Sequence, residues 1–169
     1  MTIRVYDEKF RRQPGKYLLQ SGLATLAIIL LVAFRQLVET PALLASLGAS
    51  CFIAFTMPHM RISSPRHLVG GYLCGAMAGG VCQTLLHSAW METTGIDFAV
   101  GSTVLAGVAV GVSVLLMVIL DFEHAPAAGI ALGLILDKWR VENIAYVVGG
   151  IVLLCMVRRL LKPILRDLL

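Results

Sequence analysis

Apolar residues fall into six runs along the chain, separated by short polar connections. The runs cover residues 17–34, 42–57, 68–86, 98–120, 125–136 and 144–157. Runs of this kind are typical of helices that cross a bilayer, whose hydrocarbon core of about 30 Å takes ~20 helical residues. The pattern predicts an all-α fold, a polytopic membrane helix bundle of six helical segments, with residues 17–161 forming a single transmembrane domain.

Two of the six runs are too short to span the bilayer in the ordinary way. At 1.5 Å per residue, the run ending at residue 57 rises about 24 Å and the run 125–136 about 18 Å. We therefore expect both to be short helices, or half-helices, that end inside the protein. In an alternative arrangement the two short runs dip into the bilayer and return, which leaves four crossings.

The two short runs also resemble each other. "PALLASLG" at residues 41–48 and "PAAGIALG" at residues 126–133 agree at four of eight positions, and an acid, Glu39 or Glu123, precedes each. Each short run is the middle one of three, so the second half of the chain enters from the opposite side. This order predicts a 3+3 inverted repeat, the plan of many transporters.

A proline in the first turn of each short helix leaves the backbone N–H groups there free. If the two helices are inverted, their positive ends aim at a common point from opposite faces, which favours a bound anion. The alternative is that short helices with proline starts simply pack in a bundle.

Composition and charge support a membrane protein and fix its expected orientation. Hydrophobic residues make up 58% of the chain, charged residues only 14%, and the mean hydropathy is +0.85. With six crossings and an inside N-terminus, eleven of the fourteen Lys and Arg residues lie inside, where cytoplasmic loops collect them. We expect residues 1–16 to be a basic cytoplasmic segment, residues 162–169 a cytoplasmic tail, and the protein to be multi-pass in the inner membrane. Charge favours six crossings over four only slightly.

Glycines repeat every four residues in "GGYLCGAMAGG", residues 70–80, at Gly71, Gly75 and Gly79. A smooth helix face of this kind lets another backbone approach closely, either in the same chain or in a partner subunit. We expect helix packing at this face, and a homo-oligomer. The four cysteines lie in apolar runs without a CxxC pair, which predicts packing rather than a disulfide or metal site.

The polar residues Asp121, Glu123 and His124 stand directly before the second short run. A histidine beside acids at a helix start can carry a proton near neutral pH. Buried carboxylates need a partner, and Arg66, which follows "SSP" at a helix start, is expected to neutralise at least one of them. In the same stretch Ser63 or Ser64 is expected to cap the helix. No metal site or cofactor is predicted, because His59, His67, His124 and Glu123 lack a ligand spacing.

Three blocks resemble the HPP family of integral membrane proteins: "LGASCFIAFTMP", "SPRHLVGGYLCGAMAG" and "HAPAAG". The likeness runs from about Leu47 to the end of the chain. The matching positions are Gly48, Ala49, Ser50, Pro58, Pro65, Arg66, Gly71, Ala76, Gly79, His124, Pro126 and Ala127. The chain departs from the family at Ala125, where the motif has its first proline, and at Ala128, where glycine is usual.

The resemblance implies a small permease domain, usually described with four membrane helices and linked in some members to nitrite transport. The sequence thus predicts a channel or permease for a small anion such as nitrite, and not an enzyme. The alternatives are a scaffold or sensor subunit, and a membrane enzyme that uses the His and acid cluster. No nucleic-acid signature is present. The expected substrate pathway comprises Gly48, Ala49, Ser50, Pro65, Arg66, Asp121, Glu123, His124, Pro126 and Ala127.

Overall fold

The computed structural model of the chain describes residues 8–33, 41–137 and 141–168, which contain helices and no strand. The eight α-helices of these residues are α1 (Glu8–Arg12), α2 (Pro14–Ala33), α3 (Pro41–Thr56), α4 (Pro65–Leu86), α5 (Ala89–Thr93), α6 (Phe98–Leu120), α7 (Ala128–Leu136) and α8 (Val141–Leu161). Two single 3₁₀ turns, Arg61–Ser63 and Ala125–Ala127, precede α4 and α7.

Each of the six predicted apolar segments is a helix. The prediction of six segments was incomplete, because α1 and α5 add two helices of five residues each. Among the described residues, four helices are long and apolar enough to cross a membrane: Pro14–Ala33, Pro65–Leu86, Phe98–Leu120 and Asn143–Leu161. The two short apolar helices, α3 and the turn with α7, are the two that the sequence predicted to be short.

The start of α2 and the C-terminal tail both meet the connection after α3 at one end of the bundle. Helices α2 and α3 are antiparallel, since Gln20 near the start of α2 contacts the carbonyl of Phe55 near the end of α3, while Ile28 lies against Gly48. The C-terminal tail returns to the same place, where the N–H of Leu168 donates to the Thr56 carbonyl at 2.8 Å. The alternative with four crossings would place the connection after α3 at the other end of the bundle, away from the start of α2 and the C-terminal tail. These contacts do not fit that alternative.

Positive charge is concentrated at this end of the bundle, which we call the basic end. It carries every Lys and Arg of the described residues: Lys9, Arg11, Arg12, Lys16, Arg61, Arg66, Arg158, Arg159, Lys162 and Arg166. The opposite end carries the acids Glu92, Asp97 and Asp137. The three cations predicted for that opposite end, Arg35, Lys138 and Arg140, lie outside the described residues, as does Glu39.

Helix α4 is central to the bundle and packs most extensively against α6 and α7. The main core forms between α3, α4, α7 and α8, around fully buried side chains such as Leu43, Tyr72, Ile130 and Ile151. All four cysteines are buried and free, and they act as small apolar side chains. Cys51, Cys74 and Cys155 lie in this core, and Cys82 lies in a second apolar cluster between α4, α6 and α7.

Candidate functional site at the start of helix α7

The glycine face of α4 is covered by the 3₁₀ turn and helix α7. A Cβ atom at Gly75 would overlap the carbonyl oxygen of Ala127, and one at Gly79 would lie 2.9 Å from the Cα of Ala131. At Gly71 an added Cβ would come within 2.8 Å of the Cβ of His124. The three glycines therefore allow the backbone of the short helix to lie directly on α4, which fixes the position of His124.

Helix α3 packs along the other side of α7. The Ser46 hydroxyl donates to the carbonyl of Pro126 at 2.5 Å and also faces Gly129. Further along, Gly133 lies against Ala42, with 3.0 Å between the Ala42 methyl and the Cβ that Gly133 lacks. Because rising numbers in α7 meet falling numbers in α3, the two short helices run side by side and antiparallel.

This arrangement corrects the predicted anion site between two helix N-termini. Helix α3 begins at Pro41 and the 3₁₀ turn contains Pro126, so both proline starts are present. Because the two helices overlap side by side and antiparallel, their N-termini nevertheless lie at opposite ends of the surface along which they pack. Gly129 and Gly133 are the physical reason, since they let α3 lie along α7 instead of meeting it end to end.

A buried chain of hydrogen bonds lies where α7 begins. His124 Nδ1 is 3.2 Å from the carbonyl oxygen of Ile62, which can only accept, so Nδ1 carries the proton. The other ring nitrogen of the neutral imidazole, Nε2, must then accept from the Ser50 hydroxyl at 2.7 Å. The Ser50 oxygen in turn accepts from the Tyr72 hydroxyl at 2.8 Å. The three side chains are at most 2% exposed, and the chain joins α3, α4 and the 57–64 connection to the start of α7.

His124 lies in the connection between α6 and α7, and burial lowers its pKa from 6.5 to about 4. The bond to the Ile62 carbonyl opposes this shift, and nearby His67 adds to it. The imidazole is therefore neutral at pH 7, which differs from the expectation that it carries a proton near neutral pH. Its neutral form is also the one that the hydrogen-bond chain requires.

A second histidine lies close by. His67 is 3% exposed, and its Nδ1 is 2.7 Å from the hydroxyl of Ser64, which also caps α4 as expected. Its other nitrogen, Nε2, is buried and has no hydrogen-bond partner within the described residues. A buried ring nitrogen without a partner is costly, so this atom is available to a ligand or a water.

Two exposed arginines and one aspartate form a rim outside the buried chain. Arg61 and Arg66 both pair with the carboxylate of Asp121, the latter at 3.7 Å, and Arg66 also lies 5.4 Å from the centre of the Phe122 ring. The expected partner of Arg66 is therefore in place. The arginine side chains are about two-thirds exposed, and such ion pairs typically contribute between 0 and ~1 kcal/mol. The two guanidinium groups add to the positive charge of the basic end.

The remaining predicted residues divide between the site and its surroundings. Pro65 is in the first turn of α4, and Ala127 is fully buried against Gly75. Gly48 faces Ile28 of α2, and Ala49 is exposed, so neither belongs to the cluster around Ser50. Glu123 is exposed and makes no ion pair within the described residues.

Sequence reasoning missed Tyr72 and the role of Arg61. Tyr72 had one usable signal, because it is the only Phe, Tyr or Trp in α4. Arg61 was considered only as one of the positive charges that indicate the cytoplasmic side. Within the described ranges no three His, Cys, Asp or Glu side chains are close enough to hold a metal ion, and His59 instead pairs with Asp167.

The helices and the buried polar site together define a polytopic helical membrane protein. The family model described as HPP, transmembrane region, matches residues 10–166. The chain therefore belongs to the HPP family of integral membrane proteins. Comparison with curated proteins and with solved structures finds no match.

Proposed function

We propose that this protein is a membrane permease for a small anion, with nitrite as its substrate, and that it is not an enzyme. The observation that carries the proposal is the buried hydrogen-bond chain of Tyr72, Ser50 and His124 at the break between α6 and α7. Polar side chains inside a membrane domain are costly and commonly mark a substrate path. Hydroxyl and ring N–H donors are the groups that a small oxyanion requires.

The anion approaches the hydrogen-bond chain of Tyr72, Ser50 and His124 from the basic end. The Lys and Arg side chains of the basic end, Arg61 and Arg66 among them, outnumber its acids, so their field raises the local anion concentration. Beneath the rim, His67 Nε2 is the first buried atom able to take part in a new hydrogen bond. The hydroxyls of Ser50 and Tyr72 are engaged with each other and with His124, so passage requires the anion to replace one of these bonds. The arrangement is thus a closed state of the path.

The pattern of helix contacts supports the inverted 3+3 repeat that this proposal includes. In such a repeat α2 corresponds to α6, α3 to α7 and α4 to α8. Under this correspondence, each pair of these six helices that is in clear contact corresponds to a pair that is also in contact. The α2 and α3 pair becomes α6 and α7, the α3 and α8 pair becomes α7 and α4, and the α2 and α8 pair becomes α6 and α4. The α3 with α7 and α4 with α8 pairs map onto themselves. The hydrogen-bond chain therefore lies beside the central α3 and α7 pair, where transporters of this plan bind substrate.

We propose that the basic end faces the cytoplasm of an inner membrane, since cytoplasmic surfaces collect Lys and Arg. Thr94→Cys at the opposite end and Lys162→Cys at the basic end test this orientation, because both positions are exposed while the native cysteines are buried. A membrane-impermeant maleimide should label residue 94 in intact cells and residue 162 only after permeabilisation. Labelling of both from one face would contradict the six-segment topology.

We propose further that the protein is a homo-oligomer that uses a surface other than the glycine face of α4. That face is occupied by α7 of the same chain. Helix α6 offers another surface, because a side chain added at Gly107 or Gly111 would meet nothing within 4 Å. Close helix contact between subunits is feasible there.

Uptake by purified protein in liposomes tests the transport proposal. We expect nitrite to enter, with nitrate and formate as competitors measured with and without a pH gradient. His124→Ala should reduce the nitrite flux roughly tenfold, the effect of losing one buried hydrogen-bond partner in the path. Glu123→Gln should change the pH dependence of the flux, because Glu123 is the exposed acid next to His124.

His87→Ala is the matched control, since His87 is exposed at the opposite end of α4. It should leave the flux unchanged. If His124→Ala and Glu123→Gln both leave flux and pH profile unchanged, the path does not use this junction, and residues 41–50 become the place to test. Absence of flux in the unaltered protein would favour the scaffold or sensor alternative.

A further inference from the structure

A groove of about 380 Å³ lies at the basic end, between the first helices and the C-terminal tail. Its lining includes Lys9, Arg12, Lys16, Tyr17, Arg166 and Asp167. It contains none of the residues of the proposed substrate path. Its volume lies within the range of ordinary ligand sites, which is about 300–1,000 Å³.

The charge of this groove is predominantly positive and comes from both ends of the chain. Lys9 and Arg12 lie three residues apart in α1, Lys16 lies in the first turn of α2, and all three line the groove. Arg166 faces them from the tail. The single acid, Asp167, is already engaged, because its carboxylate accepts from the backbone N–H of His59 at 2.9 Å.

The tail is held in place without using the side chain of Arg166. Gln20 accepts from the backbone N–H of Arg166 at 3.0 Å and donates to its carbonyl at 2.9 Å. Leu165 and Leu168 are buried on either side, at 1% and 6% exposure. The backbone of Arg166 is therefore fixed beside the groove by contacts that a side-chain substitution leaves intact.

The groove lies where the first membrane helix leaves the bilayer. Helix α2 begins at Pro14, and the leucines that follow, Leu18 and Leu19, are 70% and 50% exposed, as expected of lipid-facing residues. Phe10 packs edge to face on Tyr17 with ring centres 5.3 Å apart. Aromatic rings and cations at the start of a span are typical of the headgroup level of a membrane.

We propose that this groove binds the phosphate group of an anionic phospholipid headgroup. Arginine and lysine side chains bind phosphate oxygens by charge-assisted hydrogen bonds, with the planar guanidinium able to donate two in parallel. The position beside lipid-facing leucines assigns the phosphate to a lipid, whose acyl chains continue along the exposed face of α2. Free inorganic phosphate shares the headgroup chemistry but not this apolar continuation. The inference does not depend on anion transport.

Native mass spectrometry of the full chain in detergent, with added phosphatidylglycerol or phosphatidylcholine, measures the binding. We expect phosphatidylglycerol to be retained preferentially and to be released by raised ionic strength. A cation near a membrane surface contributes a factor of roughly five in affinity for anionic lipid. The double variant Arg12→Gln with Arg166→Gln should therefore bind phosphatidylglycerol roughly 25-fold more weakly.

The matched control is Arg159→Gln with Lys162→Gln, which removes two exposed cations from the same end but outside the groove lining. It should retain most of the binding. An equal loss of phosphatidylglycerol binding in both double variants would show that general surface charge explains the binding, and would overturn the proposed site. Displacement of the lipid by millimolar inorganic phosphate, with no preference between the two lipids, would assign the groove to a free anion and overturn the lipid assignment. Unchanged melting of both variants in zwitterionic detergent confirms that each is folded.

Discussion

Gly75→Leu is expected to prevent this protein from folding into a monodisperse species in detergent. Any side chain at residue 75 begins with a Cβ that overlaps the carbonyl oxygen of Ala127, and backbone cannot rotate away as a side chain can. Inserting extra carbons into a packed core typically costs about 1–3 kcal/mol, and a leucine against backbone exceeds this range. Gly75→Ala should give a smaller loss of the same kind, measured as a lower melting midpoint.

Gly22→Leu is the matched control for this experiment. Gly22 lies in a membrane helix too, but an added Cβ there would meet nothing within 4 Å. It should fold and melt like the unaltered protein. Normal yield and melting of Gly75→Leu would mean that α7 does not lie on α4, and the position of His124 would then have to be abandoned.

The glycine spacing of α4 could be read from the sequence, but its partner could not. A four-residue repeat of glycines indicates only that some backbone comes close. The helix that does so begins about fifty residues later, and no local signal joins it to Gly75. The same limit applied to the two proline-started helices. The lengths of the apolar runs predicted that both helices are short. How far one helix is shifted along the other depends on which small residues come into contact, here Gly129 with Ser46.

The sequence predicted the positions of charged residues better than their burial or their contribution to stability. Arg66 does approach Asp121, yet Arg66 is exposed and Asp121 is only partly buried, so the pair stabilises the fold little. Arg158 is the opposite case, a cation near a helix end that is buried. A cation near a helix end commonly extends to the headgroups, but Arg158 is 4% exposed and donates to the carbonyl of Pro58. The folded tail covers it, and composition does not reveal where a tail folds.

The buried site was identified in part. Ser50 came from the family resemblance and His124 also from its place beside two acids, and the structure brings them within 2.7 Å. Tyr72 completes the chain because it follows Gly71 on a helix whose register is set by contact with α7. A sequence pattern gives the face of a helix but not the depth of each side chain, so the burial that makes His124 neutral could not be predicted.

Acid should destabilise the folded protein between pH 6.5 and pH 4 through His124. Burial lowers its folded pKa to about 4, whereas the unfolded value is near 6.5. The unfolded state therefore binds a proton first as the pH falls below 6.5, which favours unfolding, and the effect is complete once the folded state is protonated near pH 4. The difference corresponds to about 3 kcal/mol, and above pH 7 it contributes nothing. The measurement is the pH dependence of the unfolding midpoint in detergent.

His124→Gln isolates this effect, since glutamine can donate to the Ile62 carbonyl or accept from Ser50 but does not titrate in this range. The variant should be less stable than the unaltered protein at pH 7, because glutamine cannot reproduce both bonds from the imidazole positions. Its stability should nevertheless vary much less between pH 6.5 and 4, so the two curves converge on acidification. His87→Gln, at an exposed position, should follow the unaltered curve. Parallel curves for His124→Gln and the unaltered protein would show that His124 is solvated and protonates freely, and the closed hydrogen-bond chain from Tyr72 to Ile62 would then be wrong.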